Sequence, residues 1–253
     1  MKRRASTNLS SRFASVVYAV VSAAACVIVA TQPLHAEELT STKSIDGTTV
    51  RYKVVLPNGY DPEKTYPGVV ALGGGAQSMR TIDRTLSRNL RDEAEKRGFI
   101  VIAPAAPRGE LFFQDGARLI PEFLDMVLAD YKIQDGKFHI AGPSNGGIAA
   151  FHLAAQSPHY FLSVTAFPGY MWQRTAAKLD AIAGLCVFMY VGEFDRYMWH
   201  DEMALEAEYL RSKGTVARYT VEKDQPHGIA TLTGEHAGRL FDGFAEAENG
   251  CRQ

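Results

Sequence analysis

The chain has 253 residues, 46% of them hydrophobic, and 27 Lys+Arg against 28 Asp+Glu give a formal net charge of −1. Removing residues 1–36 removes four basic and no acidic residues, which takes the formal charge from −1 to −5. This balance gives no indication of a nucleic-acid or anionic-membrane partner. Without repeats or Pro/Gly/Ser-rich linkers, residues 37–253 are predicted to form a single domain with one core.

The N-terminus is predicted to be a signal peptide. A leader with four basic residues precedes an apolar run at 13–30, and the small residue Ala36 ends the polar stretch that follows. The run is long enough to cross a membrane, so an uncleaved anchor is the alternative. Cys26 lies inside the run without a leucine three residues before it, which argues against lipid attachment. A secreted or periplasmic protein without a stable membrane anchor is expected.

From Thr48 onward, short β-rich runs alternate with helical stretches. This alternation predicts an α/β fold with a mostly parallel sheet that is covered by helices on both faces. The central runs are continuously apolar, as expected of strands buried on both faces. The predicted strands are 48–57, 67–72, 99–104, 137–142, 162–168, 186–192 and 216–222.

Helical periodicity fills several of the gaps between these strands. Apolar residues recur at helical spacing over 123–131 and 203–210, and a small-residue helix suited to close packing on a sheet is predicted at 146–156. A final helix is predicted at about 234–247.

The segment between the 162–168 strand and Cys186 is too short to form a large cap domain. Any active site at the carboxyl edge of the sheet is therefore expected to be open to solvent.

Two cysteines, Cys186 and Cys251, remain after the signal peptide, and export would permit them to pair. Two buried or free thiols are the alternative.

The motif Gly142-x-Ser144-x-Gly146 follows one predicted strand directly and opens the 146–156 helix. A strand–turn–helix reversal of this kind brings the residues two before and two after the serine together, so both must be small. It places the hydroxyl at a helix N-terminus, where free N–H groups favour developing negative charge. The pattern predicts a nucleophilic serine, and a plain turn with Ser144 as helix N-cap is the alternative.

A serine hydroxyl needs a base, and at an elbow of this type the chain order is serine, acid, histidine. Asp195 lies just beyond the 186–192 strand, where a carboxylate reaches the carboxyl edge of the sheet, and it is the predicted acid. Glu193 is the rival, closer to the strand end.

Three histidines follow the acid along the chain. His227 lies in the loop between the last strand and the last helix, from which its ring can reach the serine. His200 is expected to start the next helix, and His236 is expected inside the last one. The predicted catalytic residues are therefore Ser144, Asp195 and His227.

Acyl-transfer chemistry also needs donors for an oxyanion. The backbone N–H of Asn145, directly after the serine, is the first expected donor. The second is expected from Gly74 or Gly75 in the triple-glycine stretch 73–75 after an early strand. This stretch lacks the Gly-Lys-Ser/Thr of a P-loop, and neither a cofactor nor a metal is predicted.

Aromatic residues cluster where loops at the carboxyl edge are expected. Phe113, Trp172 and Tyr197 are the predicted substrate-binding residues, because such side chains line pockets for acyl or aryl groups. Covering the edge of the core is the alternative role for them.

The residues around the elbow resemble a known family. The stretch FLDMVLADYKIQDGKFHIAGPSNGGIAAFHLAAQSPHYFLSVTAFPG is similar to the elbow region of α/β-hydrolases of the polyhydroxybutyrate depolymerase and feruloyl esterase type, and Ser-Asn-Gly-Gly is its specific part. The resemblance covers most of 48–245. It implies the α/β-hydrolase fold, the triad Ser144, Asp195 and His227, and a small-molecule or polymeric ester as substrate.

Two positions depart from that family. Leu72 stands where the family usually has histidine, and the histidine loop reads QPHGIA instead of the glycine-rich G-H-x-W-P. Dienelactone-hydrolase-like and prolyl-peptidase-like enzymes share the scaffold. The expected function is a serine carboxylic ester hydrolase; a serine peptidase and a non-catalytic envelope protein are the alternatives.

Overall fold

The structure is a computed structural model that describes residues 38–251, so the predicted signal peptide lies outside the described residues. The strands, in chain order, are β1 (Glu38–Ile45), β2 (Thr48–Val55), β3 (Tyr66–Ala71), β4 (Ile100–Pro104), β5 (Ile133–Gly142), β6 (Phe161–Ala166), β7 (Cys186–Phe194) and β8 (Ala217–Pro226).

The α-helices are α1 (Met79–Thr85), α2 (Arg91–Arg97), α3 (Ile120–Asp130), α4 (Asn145–Gln156), α5 (Ala176–Ala181), α6 (His200–Ser212) and α7 (Gly238–Glu248). A π-helix, Leu86–Leu90, joins α1 to α2. The predicted final helix begins later than expected: Gly234–His236 is a separate 3₁₀ turn, so His236 precedes α7 instead of lying inside it.

All eight strands form one sheet in the order β1-β2-β4-β3-β5-β6-β7-β8. β2 runs antiparallel to both β1 and β4, and every other neighbouring pair is parallel. The carboxyl ends of β3, β5, β7 and β8 therefore meet at one edge of the sheet. The loops that follow these four strands build the site described below.

β1 is the strand that sequence patterning missed. Its sequence, ELTSTKSI, is mostly exposed, because it is the outer strand of the sheet and β2 is the one strand it pairs with among the described residues. An edge strand needs no continuous apolar run, since one of its sides and much of its faces meet water.

Two apolar layers cover the sheet. On one face, Phe123 of α3 and Phe151 of α4 belong to a large cluster of buried side chains. On the other face, Leu90 packs with Phe241 and Phe244 of α7. Helices on both faces of a mostly parallel sheet confirm the predicted α/β class.

The connection between β6 and β7 contains only the short helix α5 and loops. Within residues 38–251, no large cap domain covers the carboxyl edge of the sheet, which confirms the prediction of an uncapped fold. No helix of this described region is long and apolar enough to span a membrane.

Cys186 and Cys251 form a disulfide, with 6.1 Å between their Cα atoms. This separation lies within the usual range for disulfides. Cys186 begins β7 and Cys251 follows α7, so the bond ties the end of the described chain to the interior of the sheet.

Candidate active site

The sharp turn at Ser144 connects β5 to α4. Ser144 has φ 55° and ψ −124°, a conformation that non-glycine residues adopt at a cost of about 1–3 kcal/mol. A Cβ atom on Gly142 would lie 2.7 Å from the carbonyl carbon of Gly146, and one on Gly146 would lie 2.5 Å from the Leu72 carbonyl oxygen. Both positions therefore require glycine for close backbone approach, as the turn geometry predicted.

Backbone hydrogen bonds hold the turn in place. The Ser144 N–H donates to the Pro168 carbonyl at 2.7 Å, and the Ile148 N–H donates to the Ser144 carbonyl at 3.0 Å. The Ser144 side chain makes no capping hydrogen bond to α4. The hydroxyl is thus not used as a helix cap and is directed to another partner.

That partner is His227. The His227 Nε2 lies 2.9 Å from the Ser144 Oγ, and its Nδ1 lies 2.8 Å from the Asp195 Oδ2. A carboxylate only accepts hydrogen bonds, so Nδ1 carries the proton and Nε2 is left to accept from the serine hydroxyl. The Asp195 side chain is fully buried, whereas the His227 side chain is 21% exposed.

The register of the last two strands brings the acid and the histidine together. Phe194 at the end of β7 pairs with Pro226 at the end of β8, so the next residues of the two strands are Asp195 and His227. A bulge precedes this pair, and a Cβ on Gly192 would lie 2.2 Å from the Pro226 carbonyl oxygen. Glycine at that position lets β8 approach closely enough for the hydrogen bond to form.

The other candidate acid and histidines have separate roles. Glu193 accepts a hydrogen bond from the Asp224 N–H at 2.9 Å and so supports the loop that carries His227. His200 begins α6, as expected, and its Nε2 lies 2.7 Å from the Gly192 carbonyl oxygen. His236 is 61% exposed and pairs with Glu235.

Aromatic rings enclose the imidazole of His227. The Tyr197 ring centroid lies 4.6 Å from that of His227, and the Trp199 centroid lies 4.9 Å away, both edge-on. Asp195 also accepts a hydrogen bond from the Tyr197 N–H at 2.9 Å. The segment after Asp195 therefore fixes both the acid and the orientation of the imidazole.

The two segments that are expected to donate hydrogen bonds to an oxyanion, the start of α4 and the glycine loop, contact each other. As the first residue of α4, Asn145 has an N–H without an acceptor inside the helix. Its side-chain amide donates to the Gly75 carbonyl at 2.8 Å, and a Cβ on Gly74 would lie 3.7 Å from the Ser144 Cβ. The glycine loop is thus held beside the serine.

Sequence reasoning missed Gln77, which is completely buried and braces this loop. Its Nε2 donates to the Asn145 carbonyl at 3.2 Å, and its Oε1 accepts from the Phe112 N–H at 2.7 Å. Its backbone N–H donates to the Gly74 carbonyl at 3.1 Å. Through its backbone and its side chain, Gln77 therefore joins the glycine loop, the start of α4 and the loop after β4.

Gln77→Ala is expected to lower the free energy of unfolding by about 1–3 kcal/mol, because the buried Phe112 N–H loses its acceptor. It should also lower kcat more than it raises KM, since the expected oxyanion donors lose their alignment. Urea denaturation and ester kinetics measure the two effects. Gln114→Ala, in the neighbouring exposed turn, is the control; equal kinetic effects of both variants would contradict the bracing role.

A cavity of about 270 Å³ opens beside Ser144 and His227. Its walls come from the glycine loop, the serine turn, the 227–233 segment and the helical segment 81–89. Among the described residues that line it, none is Phe113, Trp172 or Tyr197. Phe113 packs its ring against that of Trp172 at 6.1 Å, and Tyr197 packs on His227.

The loop behind the serine turn depends on a buried carboxyl group. Both oxygens of Glu206 lie within 3.0 Å of the Met171 N–H, and Arg174 lies 3.9 Å away. Burial raises the pKa of Glu206 from the ordinary 4.5 to about 7, assisted by Glu202 and opposed by the Met171 N–H and by Arg174. The loop that holds the Ser144 N–H is thus attached to a group that titrates near neutrality.

Because the folded protein holds the Glu206 proton up to about pH 7, its stability should fall as the pH rises from 4.5 through 7. Glu206→Gln keeps an oxygen acceptor and never ionises. Its free energy of unfolding relative to wild type should increase by about 3 kcal/mol between pH 4.5 and 8. Urea denaturation at both pH values measures this, with Glu208→Gln, an exposed position on the same helix, as control. A difference independent of pH would contradict it.

Comparisons with known proteins concern the fold and the family of the chain. Among solved structures, a thermostable esterase matches with TM-score 0.65 and 18% identity over 81% of this chain, which spans 62% of that protein's length. An S-formylglutathione hydrolase from Agrobacterium tumefaciens matches with TM-score 0.67 and 16% identity, over 87% of this chain and 97% of the hydrolase. A ferulic acid esterase matches with TM-score 0.62 and 17% identity, over 82% and 96%.

At such identities these structures establish the fold, which is the α/β-hydrolase fold that the family resemblance implied. No curated protein sequence matches the chain significantly. The Esterase family model matches residues 43–227, a span that includes the serine turn and ends at His227. The resemblance to α/β-hydrolase esterases is thereby confirmed, and the chain belongs to the Esterase family.

Proposed function

We propose that the protein hydrolyses carboxylic esters through an acyl-enzyme on Ser144, with His227 as base and Asp195 as the residue that orients it. The observation that carries the proposal is the unbroken pair of hydrogen bonds, 2.9 Å from Ser144 to His227 and 2.8 Å from His227 to Asp195. The buried carboxylate of Asp195, the partly exposed imidazole of His227 and a serine hydroxyl that makes no capping bond to α4 support these three roles.

In the first half-reaction, His227 Nε2 takes the hydroxyl proton while Ser144 Oγ attacks the ester carbonyl carbon. The resulting oxyanion faces the Asn145 N–H and the glycine loop, which supply donors and a close backbone surface. The alcohol then leaves with the proton from His227, and the acyl group remains on Ser144. In the second half-reaction, water repeats these steps and releases the acid.

Incubation with 4-nitrophenyl acetate tests the proposal directly. A burst of about one equivalent of 4-nitrophenol should precede the steady state if deacylation is slower than acylation. A fluorescent organophosphonate should label the wild-type protein, and peptide mass spectrometry should place the label on Ser144. Protein that gives neither turnover nor a labelled Ser144 would overturn the proposal.

We also propose that the enzyme acts outside the cytoplasm after removal of residues 1–36. The basic leader and apolar run support export, and so does the Cys186–Cys251 disulfide, since such bonds persist in oxidising compartments. When the full chain is expressed in a bacterium, the mature N-terminus should be Glu37 in a periplasmic or culture fraction. A membrane-bound protein that retains residues 1–36 would favour the uncleaved anchor.

A further inference from the structure

The cavity beside Ser144 and His227 has an electropositive wall. Arg84 of α1 and Arg88 of the π-helix both line it, one helical turn apart. No aspartate or glutamate is among the described residues that line the cavity. An ester bound there would have two guanidinium groups available beside the reactive serine.

Arg84 and Arg88 differ from neighbouring charged residues in having no partner in the described part of the chain. Within residues 38–251, no hydrogen-bond acceptor or carboxylate partners the side chain of Arg84 or Arg88. The next two arginines along the chain differ, because Arg91 pairs with Glu38 and Arg97 pairs with Glu93. The nearby acid Asp83 is itself paired with Lys53. Arg91, Arg97 and Asp83 are thus engaged in other ion pairs, whereas the two arginines at the cavity have no partner among the described residues.

The backbone under these arginines is fixed. Asn89, a buried residue of the π-helix itself, donates a hydrogen bond to the Leu232 carbonyl at 2.8 Å. This bond ties the arginine-bearing helix to the segment that follows His227. π-helical turns often occur at functional sites. The two guanidinium groups thus have an anchored backbone beside the proposed catalytic histidine.

Three more arginines extend the basic surface. A groove of about 740 Å³ shares Thr81 with the cavity, and its lining includes Arg51, Arg80 and Arg108 but, among described residues, no acid. Their guanidinium groups also have no ion-pair partner in residues 38–251. This concentration of positive charge contrasts with the overall formal charge of −1.

We propose that the preferred substrate is an ester that carries an anionic group, carboxylate or a similar oxyanion, which Arg84 and Arg88 hold while the ester carbonyl lies at Ser144. Guanidinium groups recognise such oxyanions through paired charge-assisted hydrogen bonds. The groove with Arg51, Arg80 and Arg108 offers further cationic positions to a longer polyanionic ester. The inference rests on the proposed function, because it assigns the substrate class of the same serine.

The test compares two substrates with the same leaving group and acyl length, mono(4-nitrophenyl) glutarate and 4-nitrophenyl pentanoate, after subtraction of uncatalysed hydrolysis. Wild-type kcat/KM should be at least about tenfold higher for the glutarate. The double variant Arg84→Gln/Arg88→Gln should bring this ratio close to one, mainly by raising the KM for the glutarate. Raising the salt concentration from 0.05 to 0.5 M should reduce the wild-type ratio, since exposed charges are screened.

The control is Arg218→Gln, which removes one charge at the opposite end of β8, where Arg218 pairs with Glu246. It should leave the substrate ratio unchanged. A wild-type ratio near one, or a ratio that the double variant does not alter, overturns the anionic-substrate inference. If the wild-type protein hydrolyses neither ester and Ser144 is not labelled, the proposed function itself is contradicted. The two failures are therefore distinguishable.

A second arm distinguishes a polymer from a small ester. Acetate release is measured from acetylated polygalacturonate and from acetylated xylan of equal acetyl content. If the natural ester is polyanionic, Arg51→Gln/Arg80→Gln/Arg108→Gln should lower release from the polygalacturonate several-fold without changing the glutarate kinetics. If the natural ester is small, the triple variant should leave both unchanged while the double variant still lowers the glutarate rate.

Discussion

Replacing Ser144 by alanine is expected to lower kcat/KM for ester hydrolysis by at least about 10⁴-fold, because no acyl-enzyme can form without the hydroxyl. The residual rate would come from binding and from the oxyanion donors alone. Steady-state kinetics with 4-nitrophenyl esters and loss of organophosphonate labelling measure the effect. The substitution removes one oxygen that makes no cap to α4, so far-ultraviolet circular dichroism should be unchanged.

Ser144→Gly gives a second variant that separates chemistry from folding. Glycine relieves the cost of φ 55° and ψ −124°, so this variant should be inactive yet at least as stable as Ser144→Ala. A serine that was only structural would behave differently, since neither substitution would change the rate. Activity retained in either variant would therefore exclude Ser144 as the nucleophile.

Asp195→Asn is expected to lower kcat by about 10³–10⁴-fold while preserving the fold. Asp195 accepts two hydrogen bonds, from the Tyr197 N–H at 2.9 Å and from His227 Nδ1 at 2.8 Å. An asparagine oxygen can serve the Tyr197 N–H only if its NH₂ group points at His227. Nδ1 must then accept, which moves the imidazole proton to Nε2, where it faces Ser144 and prevents proton abstraction.

The matched control is Glu193→Gln, two residues earlier. Its side chain can still accept the Asp224 N–H hydrogen bond, so kcat should change by less than about threefold. Both variants are measured with the same 4-nitrophenyl ester, and their thermal unfolding is compared with wild type. Similar kinetics for the two variants would remove Asp195 from its proposed role.

Much of the sheet could be predicted because its central strands are buried on both faces and read as continuous apolar runs. β1 could not be predicted in this way, since ELTSTKSI lies at the edge and is stabilised by hydrogen bonds to β2 instead of burial. The 3₁₀ turn Gly234–His236 was also missed: its residues continue the helical pattern of α7, but Gly234 has φ 56°, which the α-helix does not accept.

The candidate site also contains residues that the sequence could predict and one that it could not. Chain order and sheet topology could select Ser144, Asp195 and His227, because each follows a strand whose carboxyl end lies at the same edge. Gln77 has no signature in a single sequence, since its importance comes from burial among three segments that are distant along the chain.

The position of Arg84 and Arg88 at the cavity could not be predicted from the sequence either. Their spacing of four residues predicts only a shared helix face, and their proximity to Ser144 depends on how that helix packs. For the aromatic residues, the sequence could predict proximity to the site but not the contacts that the side chains make. Tyr197 lies near the site as its position suggested, yet it packs against the imidazole.

The disulfide divides the proposed triad unequally. Cys186 and Cys251 are separated by 65 positions, and the covalent ring they close contains both Asp195 and His227 but not Ser144. The β7–β8 pairing that aligns the acid with the base therefore lies within a tethered unit, whose unfolded chain has fewer conformations to explore. Reduction would release this ring in the unfolded chain, so the oxidation state of the two cysteines should change the stability of the unit that carries the acid and the base.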